Sequence, residues 1–362
     1  MFTNFSHSHI DYIFRNQTSL LIEEALDNSD WMGLIGLLDK CANGDPVVYQ
    51  AINELTSYPG YGASFVEFKN KFPNSTWPDL FLAQKHVGSA WEARGYGYSS
   101  SVSDSAYEEF YNHLNAARNI LESILLDRPR CLFSLLSLLS VESVMVENGD
   151  LSECEQIFNR IRQVDDDNFI AHKIMLTLFS AKWHGSNKEM FQFAKNAAAG
   201  TKGHNRLYGL MAIAFSERWL AFDFEIEKSA ERKSKRAAMF HNESVRSTLR
   251  KAYKAACPQW LSVEQFNSDD AEIMNHFAFC FYQAGDYEMC QQVMDRIGSH
   301  WTAQPWSYMH GLFTGKPTTS QIIDKARKQV GHLPRSLMKP LILSAGGLFC
   351  VSLAAVFFTS FN

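Results

Sequence analysis

Nine basic side chains crowd one short stretch of the chain: Lys228, Arg232, Lys233, Lys235, Arg236, Arg246, Arg250, Lys251 and Lys254. Against Glu231 and Glu243 they leave a local charge of +7 in a protein whose net charge is -5. Fixed positive charge at this density attracts an anionic surface, either lipid head groups or an acidic protein. No nucleic-acid partner is expected, because aromatic stacking platforms are not interleaved with the charges and the chain as a whole is acidic. The opposite sign gathers near the start, where residues 1–60 carry eight acidic and two basic side chains.

Reactive chemistry leaves no comparable mark. The phosphate-cradling G-x-x-x-x-G-K-[ST], the nucleophile elbow G-x-S-x-G, the zinc-binding H-E-x-x-H and a strand followed by G-x-G-x-x-G are all missing from the sequence. Gly60-x-Gly62 and Gly95-x-Gly97 fall in loops, where glycine serves the turn. Of 12 histidines only His7-x-His9 is closely spaced, so no metal ligand is assigned. Carboxylates such as Glu23, Glu24 and Asp165 to Asp167 read as solvated surface. Trp301 and Trp306, beside His300 and His310, read as packing residues more than as a ligand groove. Seven cysteines, at 41, 131, 154, 257, 280, 290 and 350, contain no C-x-x-C pair. An odd, scattered set argues against a disulfide framework and for a reducing compartment. No catalytic residue and no cofactor is expected.

These side chains must be positioned by helices. Apolar residues make up 46% of the chain and charged ones 20%, enough to build a core. The apolar positions recur at i, i+3, i+4 and i+7, so the fold class is all-α. Ser105/Glu108, Ser152/Glu155, Ser186/Glu189 and Ser262/Gln265 match the capping box and mark expected helix starts. The stretches 58–63 and 95–103 read as loops, and the charge-dense 225–238 as an interruption.

Two windows repeat one another. In Met274 to Ile297, Phe277, Ala278 and Phe281 line one helix, Gly285-Asp286-Tyr287 turns the chain, and Cys290, Met294 and Ile297 line the next. In Leu138 to Ile161, Val141 and Met145 precede Gly149-Asp150-Leu151, then Cys154, Phe158 and Ile161 follow at the same offsets. At these residues the chain resembles the tetratricopeptide repeat, a helix-turn-helix unit that stacks into a solenoid. Glu142 departs from the small residue which that pattern wants, and Cys154 and Cys290 stand in for its usual alanine. Ala117, Leu121, Ile124 and Pro129 match the second half of a preceding unit. Ala171 to Phe179 with Met190, Ala194 and Ala197 supply a following one, turned through Trp183-His184-Gly185-Ser186. Trp91 to Gly95 and Lys182 to Ser186 also look like segments of an uncharacterised bacterial family of helical repeats, which implies no activity.

The expected organisation is a helical region over 1–102, repeats over 103–200, a helical segment with the basic cluster over 201–267, a repeat region over 268–336 and a tail over 337–362. From Pro340 to Asn362 no side chain is charged, and about 21 apolar residues span roughly 30 Å as a helix. With the basic flank before it, this stretch is expected to be a single-pass C-terminal transmembrane anchor holding the bulk of the chain in the cytoplasm. Gly346, Cys350 and Ala354 recur every four residues there and could pair two such helices into a homodimer. The function expected is a membrane-anchored scaffold for protein–protein interaction. The alternatives are a membrane-stationed inhibitor or immunity protein that captures one toxin or effector, and a membrane enzyme whose site leaves no motif.

Overall fold

A computed structural model describes residues 17–56, 59–95, 102–201, 203, 205–256, 267–298, 300–312 and 317–331. Every regular element among them is helical. The α-helices are α1 (Gln17–Asp27), α2 (Trp31–Leu38), α3 (Pro46–Thr56), α4 (Gly62–Lys71), α5 (Thr76–Arg94), α6 (Asp104–Asp127), α7 (Leu132–Val144), α8 (Ser152–Arg162), α9 (Phe169–Leu178) and α10 (Asn187–Ala199). They continue with α11 (Leu210–Glu225), α12 (Ser229–His241), α13 (Glu243–Ala256), α14 (Ser268–Gln283), α15 (Tyr287–Ile297) and α16 (Thr319–Gly331). Three further 3-10 turns, Pro59–Tyr61, Arg206–Gly209 and Trp306–Leu312, take part in packing. The described residues divide within α9 into two compact units, one up to Met175 and one from Leu176 onward.

In the first unit α7 is the central helix. Its sequence, LFSLLSLLSVESV, has only small serines between its apolar positions and a single charge at Glu142, so it is stable only when largely covered. It is buried from Leu132 to Leu139 and again at Val141 and Glu142, with α5, α6 and α8 packed against it. The serines that interrupt the apolar run find partners in the core: Gln84 of α5 donates to Ser137, which also bonds the buried Tyr49 hydroxyl. Towards the chain start, aromatic rings fill the space. Trp31 stacks on Phe68 at 4.9 Å, Phe65 meets Phe81 at 5.2 Å, and Trp77 meets Phe133 edge-on at 5.3 Å.

In the second unit α14 holds the same place, buried at every residue from Ser268 to Phe281. Phe277, Phe279 and Phe281 supply apolar cover against Tyr253, Trp219 and Trp306. Two of its buried polar side chains are held by specific bonds. Arg206 grips Asp270 through Nε at 2.5 Å and Nη2 at 2.9 Å, and Asn275 accepts from the Trp306 indole at 2.9 Å while donating to the Ala271 and His300 carbonyls.

Both windows singled out by repetition are therefore helix pairs built on a central helix, α7 with α8 and α14 with α15. Each turn passes through glycine in the left-handed region, Gly149 at φ 74° and Gly285 at φ 65°, where a side chain would be strained. The deviation at Glu142 has a physical reason: Arg118 of α6 clasps its carboxylate with Nε at 2.5 Å and with Nη2. A carboxylate is tolerated at this buried crossing because a guanidinium fork meets it.

Two of the three expected caps that can be judged lie two positions past the residue that caps the helix. Ser186 caps α10 as expected, its hydroxyl accepting from the Glu189 backbone N–H, but the Glu189 carboxylate accepts from that hydroxyl and not from the Ser186 backbone, so the box is not reciprocal. The first of the others, α6, is capped by Ser103 rather than Ser105, and α8 by the Asp150 carboxylate, which accepts from the Ser152 backbone N–H. Asn267 and Asp270 form the reciprocal box of α14, whereas Ser262 lies outside the described residues.

The fold class needs one correction. Among the described residues no helix is long and apolar enough to cross a membrane. The longest, α6 at 24 residues, is amphipathic and carries Glu108, Glu109, Arg118 and Glu122, which could not be left in hydrocarbon. The single-pass anchor, and the membrane location that rested on it, are accordingly withdrawn, and the chain is an all-α protein of packed helices. Pro340 to Asn362, with Gly346, Cys350 and Ala354, lies outside the described residues.

Candidate functional site

The basic cluster occupies α12 and α13, two consecutive helices of the second unit. Their amphipathic sequences decide what each basic residue does. Arg236 and Phe240 form the buried side of α12, and Leu249, Ala252, Tyr253 and Ala256 that of α13. Arg236 is buried with its guanidinium 3.6 Å from the centre of the Trp219 ring, its Nε donating to the Trp219 carbonyl at 3.0 Å and its Nη2 2.6 Å from Asp223. Burial lowers its pKa and Asp223 opposes that shift, yet an arginine stays charged at any ordinary pH. Arg232 reaches the same Asp223 and donates to the Ile226 carbonyl at 3.2 Å.

On α13, Arg246 donates to the Ala284 carbonyl at 2.8 Å, at the end of α14, and Arg250 pairs with Asp286 at 2.7 Å. Asp286 is the acid of the second Gly-Asp turn, so α13 is bolted to the repeat by that turn. The hydrogen bond from Arg250 is the main reason its pKa is raised.

All four arginines are thus committed within the fold, and the five lysines are not. Lys228, Lys233, Lys235, Lys251 and Lys254 are exposed and make no ion pair or hydrogen bond with the described residues. The sequence treats these nine residues as one group, and the structure separates them by chemistry. A planar five-donor fork suits a buried bonded position, while a strongly hydrated ammonium on a flexible stem remains in water.

A second polar cluster was not anticipated. Lys182, in the turn between α9 and α10, forms an ion pair with Glu217 of α11, the two side chains being only 11% and 7% exposed. Tyr308, from the 3-10 turn, donates to the other Glu217 oxygen at 2.7 Å. Burial, then Glu217 and Glu272, push the Tyr308 phenol well above its ordinary pKa. An amine and a phenol meeting on one carboxylate are ingredients of acid–base catalysis. Here Glu217 is spent on both neighbours, pairing with Lys182 through one oxygen and accepting from Tyr308 through the other, and the phenol keeps its proton. The arrangement ties three segments of the second unit together. Lys182 does open the Lys182-to-Ser186 segment singled out in the sequence, but nothing in its spacing connects it to Glu217 or Tyr308, which lie 35 and 126 positions away in the numbering.

The remaining sequence candidates sit as follows. Trp301 and Trp306 are buried and meet edge-on at 5.9 Å, so they pack. Cys154 and Cys290 are buried in the repeat, the latter donating to the Ala278 carbonyl at 3.3 Å. Burial pushes the thiols of Cys154 and Cys280 up to about 12, which leaves them inert as nucleophiles. Among the described residues no group of three or more metal-ligating side chains converges, and His7 and His9 lie outside them. No family model, no curated protein and no solved structure matches the chain.

Proposed function

We infer that this chain is a non-catalytic scaffold of tetratricopeptide-like helix pairs that docks an acidic protein surface on the lysines of α12 and α13. The observation that carries this reading is the division of labour within the basic cluster. Intramolecular bonds occupy the arginines, while the ammonium groups of Lys228, at the start of α12, and of four lysines on α12 and α13 stay in water with no ion pair among the described residues. Such groups cost little to leave solvated and gain most from an anionic partner. Helix pairs joined through Gly-Asp turns are the second support, since units of this kind present extended surfaces to partners. The cluster at Lys182 supports a structural role over an enzymatic one, because Glu217 is engaged by Lys182 and Tyr308 from two other segments.

Binding of the full-length chain to immobilised poly-L-glutamate tests the reading. Affinity should fall at least about tenfold for Lys233→Glu/Lys235→Glu/Lys251→Glu, a change of about 1.4 kcal/mol or more, with circular dichroism unchanged. Equal binding by that variant, or no binding by the parent at low salt, would overturn it.

A further inference from the structure

Helices α5 and α6 make the most extensive helix–helix contact among the described residues. They run antiparallel, since His86 faces His113 and Trp91 faces Phe110. The two imidazoles are half-buried, with their Nδ1 atoms 3.0 Å apart and ring centres 5.3 Å apart. The difference between those distances is that of two ring radii, so each Nδ1 aims along the line joining the rings straight at the other. A metal ion would need the two lone pairs to converge on a point beside that line. A shared proton needs the collinear arrangement seen here.

We propose that His86 and His113 form a proton-sharing pair that fastens α5 to α6 near neutral pH and releases them once both rings are charged. In the neutral pair one Nδ1–H donates and the facing Nδ1 accepts. The first added proton enters on the bare Nε2 of the donor ring and leaves the bond in place, now from imidazolium to imidazole. The second puts a hydrogen on both facing nitrogens, and the bond is replaced by repulsion between two donors and two charges.

Among the described residues no neighbouring charge is resolved as favouring a proton on His86. On the helices packed around the pair, Lys69 of α4 is taken by Asp79 of α5, Lys71 by Glu67 within α4, Lys85 by Glu92 within α5, and Arg118 of α6 by Glu142 of α7. Glu54 of α3, Arg94 of α5 and the exposed Glu109, one turn before His113, exert no resolved pull on His86, whose protonation is disfavoured first by burial and then by His113. The folded-state pKa of His86 therefore lies below its unfolded value. The fastening is complete above the unfolded value and is lost as pH falls through the depressed one. The consequence reaches further than two helices, because α5 also anchors α7 through Gln84 and α2 through the Trp77 indole, which donates to Asp39 at 2.7 Å.

The test uses the full-length chain labelled with nitrogen-15 histidine. A scalar coupling between the two Nδ1 nuclei across the hydrogen bond is expected near neutral pH and should vanish at about pH 5. Acidification over that range should also lower the melting temperature about 2–4 °C more in the parent than in His113→Gln. Two rings that titrate independently with no coupling would overturn the proposal even if the variant failed to fold. So would zinc chloride abolishing the coupling while raising the melting temperature, which would make the pair a metal site.

Discussion

At the scale of single residues, the chain uses charge inside the fold as well as on its surface. Glu142 is met by Arg118, Asp270 by Arg206, Asp286 by Arg250 and Glu217 by Lys182. Removing one partner of a nearly buried pair strands the other, so Lys182→Met should cost about 3–5 kcal/mol. A shift in the urea midpoint measures it, and a loss below that of an ordinary surface change would show that Glu217 is reached by water. The thiols give a second check. With Cys154 and Cys280 raised to about 12, only about one in ten thousand of each is thiolate at pH 8. Neither should react with a disulfide reagent in the folded chain, and both should react promptly in denaturant. The small, buried character of Cys154 and Cys290 was legible from their place in the repeat. The ion pair of Lys182 was not, since a turn lysine and a glutamate within an apolar helix share no spacing that predicts their meeting.

Elements were legible where period and turn chemistry agree. The Gly-Asp turns and the apolar positions around them placed α7, α8, α14 and α15 correctly, and the structure buries both Phe158 of α8 and Phe281 of α14. Each Phe→Ala change should lower stability by about 3–5 kcal/mol through lost apolar burial and the cavity left behind. Chemical denaturation of each variant is the measurement, and an unchanged midpoint for either would place that ring outside the core. The helix starts were less legible, because several serines and aspartates within one turn can cap equally well. Which of them does so is settled by where the preceding loop brings its backbone. Asp269, Asp270 and Glu272 carry no mark of burial in the sequence, since a helix opening with three acids looks solvated until Arg206 and the surrounding helices close over it.

For the whole molecule, the surface charge of the lysines sits in a chain that is acidic overall, so its field is local and short in range. Association with poly-L-glutamate should slow several-fold between about 0.05 and 0.3 M salt, as the screening length shrinks towards the size of the patch. Stopped-flow association rates across that range provide the measurement, and rates indifferent to salt would mean that the contact is apolar. Replacing the five lysines by glutamine should leave thermal stability nearly unchanged, because exposed and unpaired side chains contribute little to it.

By itself the sequence determined that the chain is all-helical, where the paired helices turn, and which segment concentrates positive charge. Periodicity, glycine and charge count are local properties, and a linear string holds them in full. Only the tertiary structure decided which of the basic residues remain available, that Glu142 and the acids of α14 lie inside, and that His86 meets His113. Each of those outcomes depends on groups far apart in the chain being brought within bonding distance, where desolvation makes pairing obligatory. The expectation of a membrane helix marks the same boundary from the other side. An uncharged run is a local property, whereas whether a helix crosses a bilayer depends on what the folded chain leaves for lipid to cover.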